Sequence, residues 1–286
     1  MIDKKTKFLI VGLGLMGGSY AKGLTNAGYY VGAIDIDENS IKFAIEHGYI
    51  ASGFSKIEEK YISQFDIIVF ALYPHTFIDW IKENQQFIKS GALITDVTGV
   101  KKSIVTTIQE MLRDDLEFIP SHPMAGREVG GVVNANEKIF LGANYIITPT
   151  KKNSEKAIET SKEIGHILGF KNISTLSIEE HDEMIGFLSQ LTHCIAVSLM
   201  NCKDDAEKLA LYSGDSFRDL TRIAKINEKM WTELFLLNKE ELLSQMNLFE
   251  KEFNSLKKAI ENSDIKTMEN KMKNSTMKRG FFDKKI

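Results

Sequence analysis

All four prolines of this 286-residue chain (Pro74, Pro120, Pro123 and Pro149) and 15 of its 20 glycines fall within the first 150 residues. The remaining 136 residues hold no proline and only Gly165, Gly169, Gly186, Gly214 and Gly280. Both residue types break helices and mark turns. The first half is therefore expected to be strand-rich with many loops, and the second to consist mostly of long helices. At about 100–200 residues per domain, the length suits one large domain or two ordinary ones.

Within the first half, short apolar runs at 8–11, 30–34, 67–71, 92–95, 117–119 and 145–148 alternate with stretches of helical periodicity at 19–27, 38–47, 77–87 and 101–113. Continuous apolar strands separated by helices imply a parallel sheet covered on both faces. A final helix–strand pair, about 154–168 and 173–176, is expected to close the domain. Beyond Ser177 the pattern predicts helices at 178–200, 202–211 and 229–261 and a charged terminal piece. Met184, Leu188, Leu191, Ile195 and Leu199 predict one buried stripe along the first of these. The fold class expected is α/β: a doubly wound Rossmann-type nucleotide domain over residues 1–176, followed by an all-α dimerisation domain over 177–286. A helical array of about 110 residues with this much apolar surface often buries it against a second copy.

Composition narrows the partners. Lys and Arg total 36 against 39 Asp and Glu, a net charge of -3, which argues against nucleic acid, whose binders need a strong positive excess. No apolar stretch is read as approaching the ~20 residues that span a bilayer, so no membrane partner is expected. The N-terminus runs within seven residues into a strand and leaves no room for a signal peptide. Cys194 and Cys202 are too few for a disulfide framework and lack metal-ligand spacing. Together these features point to a reducing cytoplasm, with no metal.

The sharpest local motif is Gly12-Leu13-Gly14-Leu15-Met16-Gly17, directly after the first strand and opening a helix. In a dinucleotide fold Gly12 makes the tight turn, Gly14 lets the backbone approach the pyrophosphate, and Gly17 allows close helix–strand packing. The pyrophosphate then rests on the N–H groups of the helix N-terminus. An acid closes the second strand at Asp35, 23 residues beyond Gly12. A carboxylate there bonds the ribose hydroxyls and repels a 2′-phosphate, so NAD is favoured over NADP.

Two further groupings carry chemistry. Ser121-His122-Pro123-Met124-Ala125-Gly126-Arg127-Glu128 follows a strand, and His122 reads either as a base for a substrate hydroxyl or as a cap on a turn before proline. In the helical half, Arg218 and Arg222 lie four apart and would share a helix face. They read as a clamp for two carboxylates or as surface arginines paired with Asp215 and Asp219. His193 interrupts an apolar helix, where a histidine is usually a satisfied core residue. His181, next to Asp182, is a candidate for a supporting position.

Together, His122-Pro123-Met124-Ala125-Gly126, Leu191-Thr192-His193 and Phe217-Arg218-Asp219-Leu220-Thr221-Arg222-Ile223-Ala224, with Met230-Trp231 just after, resemble the prephenate/arogenate dehydrogenase family of tyrosine biosynthesis. The resemblance runs from Phe8 to about Phe249. It implies NAD-dependent oxidative decarboxylation of prephenate, or of arogenate, with His122 as the proton acceptor and His193 contacting substrate. It also implies Arg222 on a substrate carboxylate, Arg218 assisting from a neighbouring subunit, and Glu128 in an ion-pair network with Arg222; Ser121 joins the substrate contacts. Many members carry a serine before Val-Lys after the fifth strand, where this chain has Gly99 in Asp96-Val97-Thr98-Gly99-Val100-Lys101. Either Thr98 or a water takes over that contact, or it is absent. Gln190 stands where a second imidazole is common.

No fused chorismate mutase or C-terminal regulatory domain of the ACT type is expected. Two other readings stay open: a β-hydroxyacid-type dehydrogenase, disfavoured because 186–200 lacks a lysine, and a non-catalytic NAD sensor.

Overall fold

The computed structural model describes residues 2–283. Strands β1 (Lys7–Val11), β2 (Tyr30–Ile34), β3 (Ser52–Phe54), β4 (Ile67–Phe70), β5 (Leu93–Asp96) and β6 (Glu117–Ile119) form one all-parallel sheet in the order β3-β2-β1-β4-β5-β6. Strand β1 shows why the run is continuously apolar. Phe8 and Ile10 enter the core on one face of the sheet, Leu9 and Val11 the core on the other. Burying a side chain of this size is worth about 1.5–3 kcal/mol, so neither face tolerates a polar alternation. Helices α1 (Leu15–Asn26) and α2 (Glu38–Glu46) pack on the first face; α3 (Glu59–Ile62), α4 (Pro74–Asn84) and α5 (Lys102–Met111) pack on the second. Helix starts follow local chemistry: the Asp37 carboxylate accepts from the N–H groups of Asn39 and Ser40 to cap α2, and Pro74 occupies the first turn of α4.

The chain leaves this sheet at Pro120, which has no N–H to continue a ladder. A second, three-stranded sheet then forms from β7 (Ser121–Met124), β8 (Asn144–Ile147) and β9 (Asn172–Thr175), with β7 antiparallel and β9 parallel to β8. Helix α6 (Glu155–Ile167) makes the crossover between β8 and β9. One sequence expectation is corrected here: the run near 145–148 belongs to this second sheet and not to the parallel one. Of the two readings left open for His122, the cap on a turn does not fit, because Ser121–Met124 is a strand. Strand β3 is too short for periodicity to reveal it.

Helices α7 (Ile178–Ile185) and α8 (Thr192–Asn201) are joined without a break by a π-helical turn, Gly186–Leu191. The wider turn shifts the phase of the apolar face. Leu191 is buried but Leu188 is exposed, and the buried positions are Ile185, Leu191 and Ala196 rather than the full predicted stripe. The continuous run Ile178–Asn201 has 24 residues and is long and apolar enough, by length and composition, to cross a membrane. That corrects the sequence count. The run also carries buried His181, Asp182 and Gln190, each hydrogen-bonded within the protein. Short helices α9 (Ala206–Ala210) and α10 (Asp215–Thr221), a 3-10 turn at Arg222–Ala224 and α11 (Glu228–Leu237) follow; α9 is much shorter than the expected 202–211. The predicted helix 229–261 breaks at Asn238, whose side-chain amide donates to the carbonyl of Asp182 (2.9 Å) and to Oε1 of Gln190 (2.8 Å).

Residues through Asn238 make one compact unit, so the sequence boundary at 176/177 falls inside it, between β9 and α7. The second unit, from Lys239, contains α12 (Lys239–Glu261) and α13 (Ile265–Arg279). Ser263, at φ 52°, turns the chain between them, and the Asp264 side chain caps α13 at Thr267.

Candidate active site

The glycine motif lies between the carboxyl end of β1 and the start of α1. Gly12 has φ 97°, and a Cβ there would meet the Ala71 carbonyl oxygen at 2.6 Å. A Cβ on Gly17 would collide with the carbonyl oxygen of Gly12. Gly14 differs: a Cβ there would meet nothing within 4 Å. It stands at the N-cap of α1, which has no side-chain cap. The first-turn N–H groups of a helix lack intrahelical partners and favour an anion, so open space at Gly14 fits a pyrophosphate. Leu13 and Leu15 pack into the core and Met16 lies against it. Asp35, at the end of β2, accepts from the N–H of Leu13 (2.5 Å) and of Asp37 (2.8 Å). The sheet order and this turn are those of a dinucleotide-binding domain.

His122 is brought to the carboxyl edge of the parallel sheet by its neighbour. The N–H of Ser121 donates to Oδ1 of Asp96 (2.9 Å), the last residue of β5. Its Nδ1 lies 2.9 Å from Nε2 of His181, and Nδ1 of His181 lies 2.7 Å from Oδ1 of Asp182. The Asp182 carboxylate also accepts from the backbone N–H groups of Lys101 (2.9 Å) and Lys102 (2.8 Å), at the start of α5. Burial, then His181, then the Lys101 ammonium hold the His122 imidazole well below the ordinary histidine range. Burial also pushes His181 down, against the pull of Asp182. Both rings are therefore neutral near pH 7.

Beneath His122 lies a closed polar cluster. Lys101 is fully buried, and its Nζ donates to Oδ2 of Asp96 (2.6 Å), to Thr98 Oγ1 (3.2 Å) and to the carbonyl of Ser121 (2.6 Å). Thr98 Oγ1 bonds the Asp96 carboxylate and also lies 3.1 Å from the carbonyl of Val100. Ser121 Oγ meets Tyr145 OH (2.8 Å), Thr95 Oγ1 (3.0 Å) and the carbonyl of Asp96 (2.8 Å). The structure thus turns the hydroxyls of Thr98 and Ser121 into the interior, where they build the platform under His122 rather than reach a substrate. Gly99 faces the ring instead: a Cβ there would lie 3.9 Å from His122 Cε1 and 3.8 Å from Leu234.

Helix α11 links this cluster to the second histidine. Leu234 faces Gly99, and Trp231, three residues earlier and so on the same face, packs on the His193 ring at a centroid distance of 3.7 Å. Nδ1 of His193 bonds the carbonyl of Ser189 (2.8 Å). Burial lowers the His193 pKa, and the Ser189 carbonyl and the charge of Glu128 oppose that. Arg222 forms an ion pair with Glu128. Arg218 does not share it: its guanidinium bonds Asp215 (2.9 Å) and Ser213. Because α10 ends at Thr221 and Arg222 opens a 3-10 turn, spacing on one continuous helix does not apply, and the two arginines form no clamp within this chain.

The sequence motifs left Lys101, Asp96, Trp231 and Asn238 without roles. The readable signal for the first two was their position on either side of Gly99, just past a strand. Buried lysine–carboxylate pairing itself leaves no mark in a single sequence.

A parallel sheet in this order, a glycine turn open to an anion, and a depressed imidazole at the sheet's carboxyl edge define a nucleotide-dependent oxidoreductase of the doubly wound class. The prephenate dehydrogenase nucleotide-binding domain family matches residues 20–173, and the prephenate dehydrogenase dimerization domain family matches 177–274. The chain is 28% identical to the prephenate dehydrogenase of Bacillus subtilis, over 94% of this chain and 74% of that one. It is 31% identical to that of Lactococcus lactis, over 92% and 73%. The crystal structure of prephenate dehydrogenase from Aquifex aeolicus, in complex with hydroxyphenyl propionate and NAD+, superposes with a TM-score of 0.88. Sequence identity there is 31%, covering 97% of this chain and 98% of that one. This chain belongs to the prephenate dehydrogenase family.

Proposed function

We propose that this chain oxidatively decarboxylates prephenate to 4-hydroxyphenylpyruvate with NAD+, His122 accepting the proton of the ring hydroxyl. The observation that carries this reading is the half-buried His122 ring, hydrogen-bonded through Nδ1 to His181 and facing Gly99, in a chain of this family. NAD+, held by the Gly12–Gly17 turn and Asp35, supplies the hydride acceptor. The chain's own work is positioning and charge. His122 takes the hydroxyl proton, Arg222 exchanges its Glu128 partner for a substrate carboxylate, and His193, stacked on Trp231, walls the substrate. Loss of carbon dioxide aromatises the ring and drives the step, so alignment contributes most of what the protein must add. Arg218 is exposed and paired with Asp215, and we keep for it only the assisting role from a neighbouring subunit that the family resemblance implies.

A homodimer formed through the helical part is supported by the exposed apolar side chains Phe187, Leu188, Leu211, Tyr212 and Leu220 and by the description of the second matching family. Both cysteines are free thiols, in keeping with the cytoplasm. The test is NADH or NADPH formation with prephenate and with arogenate, each with both oxidised cofactors. Prephenate with NAD+ is expected to give the highest kcat/KM, and a preference for arogenate overturns the substrate assignment.

A further inference from the structure

We propose that His181 and Asp182 are positioning residues that fix which nitrogen of His122 is free to act as the base. This rests on the reading of His122 given above. A carboxylate only accepts hydrogen bonds, and Asp182 already takes the N–H groups of Lys101 and Lys102. The proton shared between Asp182 and His181 therefore sits on Nδ1 of His181. A neutral imidazole carries one proton, which leaves Nε2 of His181 as a lone pair. The only way to satisfy the 2.9 Å contact with His122 is for His122 to carry its proton on Nδ1. Its Nε2 is then the acceptor, and it becomes N–H when the substrate hydroxyl gives up its proton.

The chain of three groups is anchored twice at its Asp182 end. Asp182 is pinned by the α5 N-terminus, and Asn238 holds its backbone carbonyl. The charged groups facing the pair are Lys101, Asp96 and Asp182. Lys101 lowers the pKa of both rings, whereas Asp182 and Asp96 oppose it at His181. His181 is fully buried and belongs to the interior beneath His122. It acts through His122.

The experiment compares His181→Leu, which removes the acceptor, with His181→Gln, whose amide oxygen restores one near the Nε2 position. His122→Asn serves as the control. For each full-length variant, kcat, the KM of prephenate and NAD+, and the pH profile of kcat/KM are measured. Losing the correct tautomer of a positioned base is expected to cost His181→Leu about 10²-fold in kcat, with both KM values little changed. His181→Gln should recover most of that loss. Wild-type turnover in His181→Leu, or a folded glutamine variant as slow as the leucine one, overturns the inference. Should the leucine variant fail to fold, the glutamine variant decides: folded and active supports the assignment, folded and inactive overturns it, and unfolded overturns it in favour of a packing role. Unimpaired His122→Asn would instead overturn the base itself, a result distinct from any of these.

Discussion

Glu128 and Arg222, 94 residues apart in sequence, form an ion pair between the segment after β7 and the 3-10 turn after α10. Burial pushes the Glu128 carboxyl up, but its backbone hydrogen bond and the Arg222 guanidinium outweigh that and hold it below the usual range. The guanidinium is largely exposed, so the pair itself adds little to stability, and its value lies in keeping Arg222 ordered and ready for an anion. Arg222→Ala should therefore leave thermal stability nearly unchanged and raise the KM for prephenate. A charge-assisted hydrogen bond is worth about 1.5–3 kcal/mol, or about 10- to 100-fold. The KM for NAD+ should stay within about twofold. Steady-state kinetics with each substrate varied checks this, and a large loss of melting temperature would mark Arg222 as structural instead.

The depressed pKa of His122 sets the pH dependence. Burial, His181 and Lys101 all disfavour the imidazolium, so the base stays unprotonated through the pH range where a free histidine would begin to charge. The value of kcat/KM should be flat through about pH 6.5, the ordinary histidine pKa, and fall only at clearly lower pH. The sign for stability is the same. A group whose folded pKa is depressed contributes stability above its unfolded pKa, and that stability is lost as pH falls toward the folded value. Acid should both inactivate and destabilise the protein. An acid limb centred at or above 6.5 would show that the ring is not held neutral.

Much of this was legible in the sequence, for identifiable reasons. The strands of the parallel sheet could be read because burial on both faces leaves continuous apolar runs such as Phe8-Leu9-Ile10-Val11. The glycine turn could be read because Gly12 and Gly17 have steric causes that admit no other residue. The second sheet was not legible. Its strand β7 contains Ser121, His122 and Pro123, which carry turn signals in isolation and become a strand only by pairing with Asn144–Ile147. The π turn at Gly186–Leu191 was equally silent, since a one-residue phase shift in an apolar helix leaves composition unchanged. The inward hydroxyls of Thr98 and Ser121 follow from the buried Lys101–Asp96 pair, which is a tertiary fact.

Gly99 offers a direct test of a departure from the family pattern. Its φ is not in the left-handed region, and a Cβ there would make ordinary contacts at 3.8–3.9 Å with Leu234 and His122. Gly99→Ser should fold with a stability change within about 1 kcal/mol and place its hydroxyl beside the His122 ring. We expect a rise in kcat/KM for prephenate, measured alongside the melting temperature. A fall in turnover at unchanged stability would mean that the substrate needs the space Gly99 leaves.

Asp35 serves two masters. Its carboxylate accepts from the N–H of Leu13, steadying the glycine turn, and it stands where a ribose is bound in this fold. Asp35→Asn keeps an oxygen acceptor for Leu13 while removing the charge that repels a 2′-phosphate. The KM for NAD+ should rise several-fold and that for NADP+ should fall, narrowing the ratio between them. Unaltered discrimination in this variant would remove Asp35 as the selecting residue.

The glycines of the turn can be separated by the same logic. A Cβ on Gly17 would collide with the Gly12 carbonyl oxygen, a backbone atom that cannot move without opening the turn, and would press on Ala71 at 3.0 Å. Gly17→Ala should therefore cost stability directly, by about 1–3 kcal/mol as overpacking and backbone displacement do, and a melting curve taken without cofactor should show it. Gly14→Ala meets nothing in the protein itself, and at the N-cap of α1 alanine is only a poorer cap than glycine, so its melting temperature without cofactor should fall slightly at most. Its methyl group instead fills the space reserved for the pyrophosphate, and the stabilisation normally gained by adding NAD+ should largely vanish. Equal cofactor-induced stabilisation in Gly14→Ala and the unmodified chain would show that the dinucleotide does not approach the backbone there.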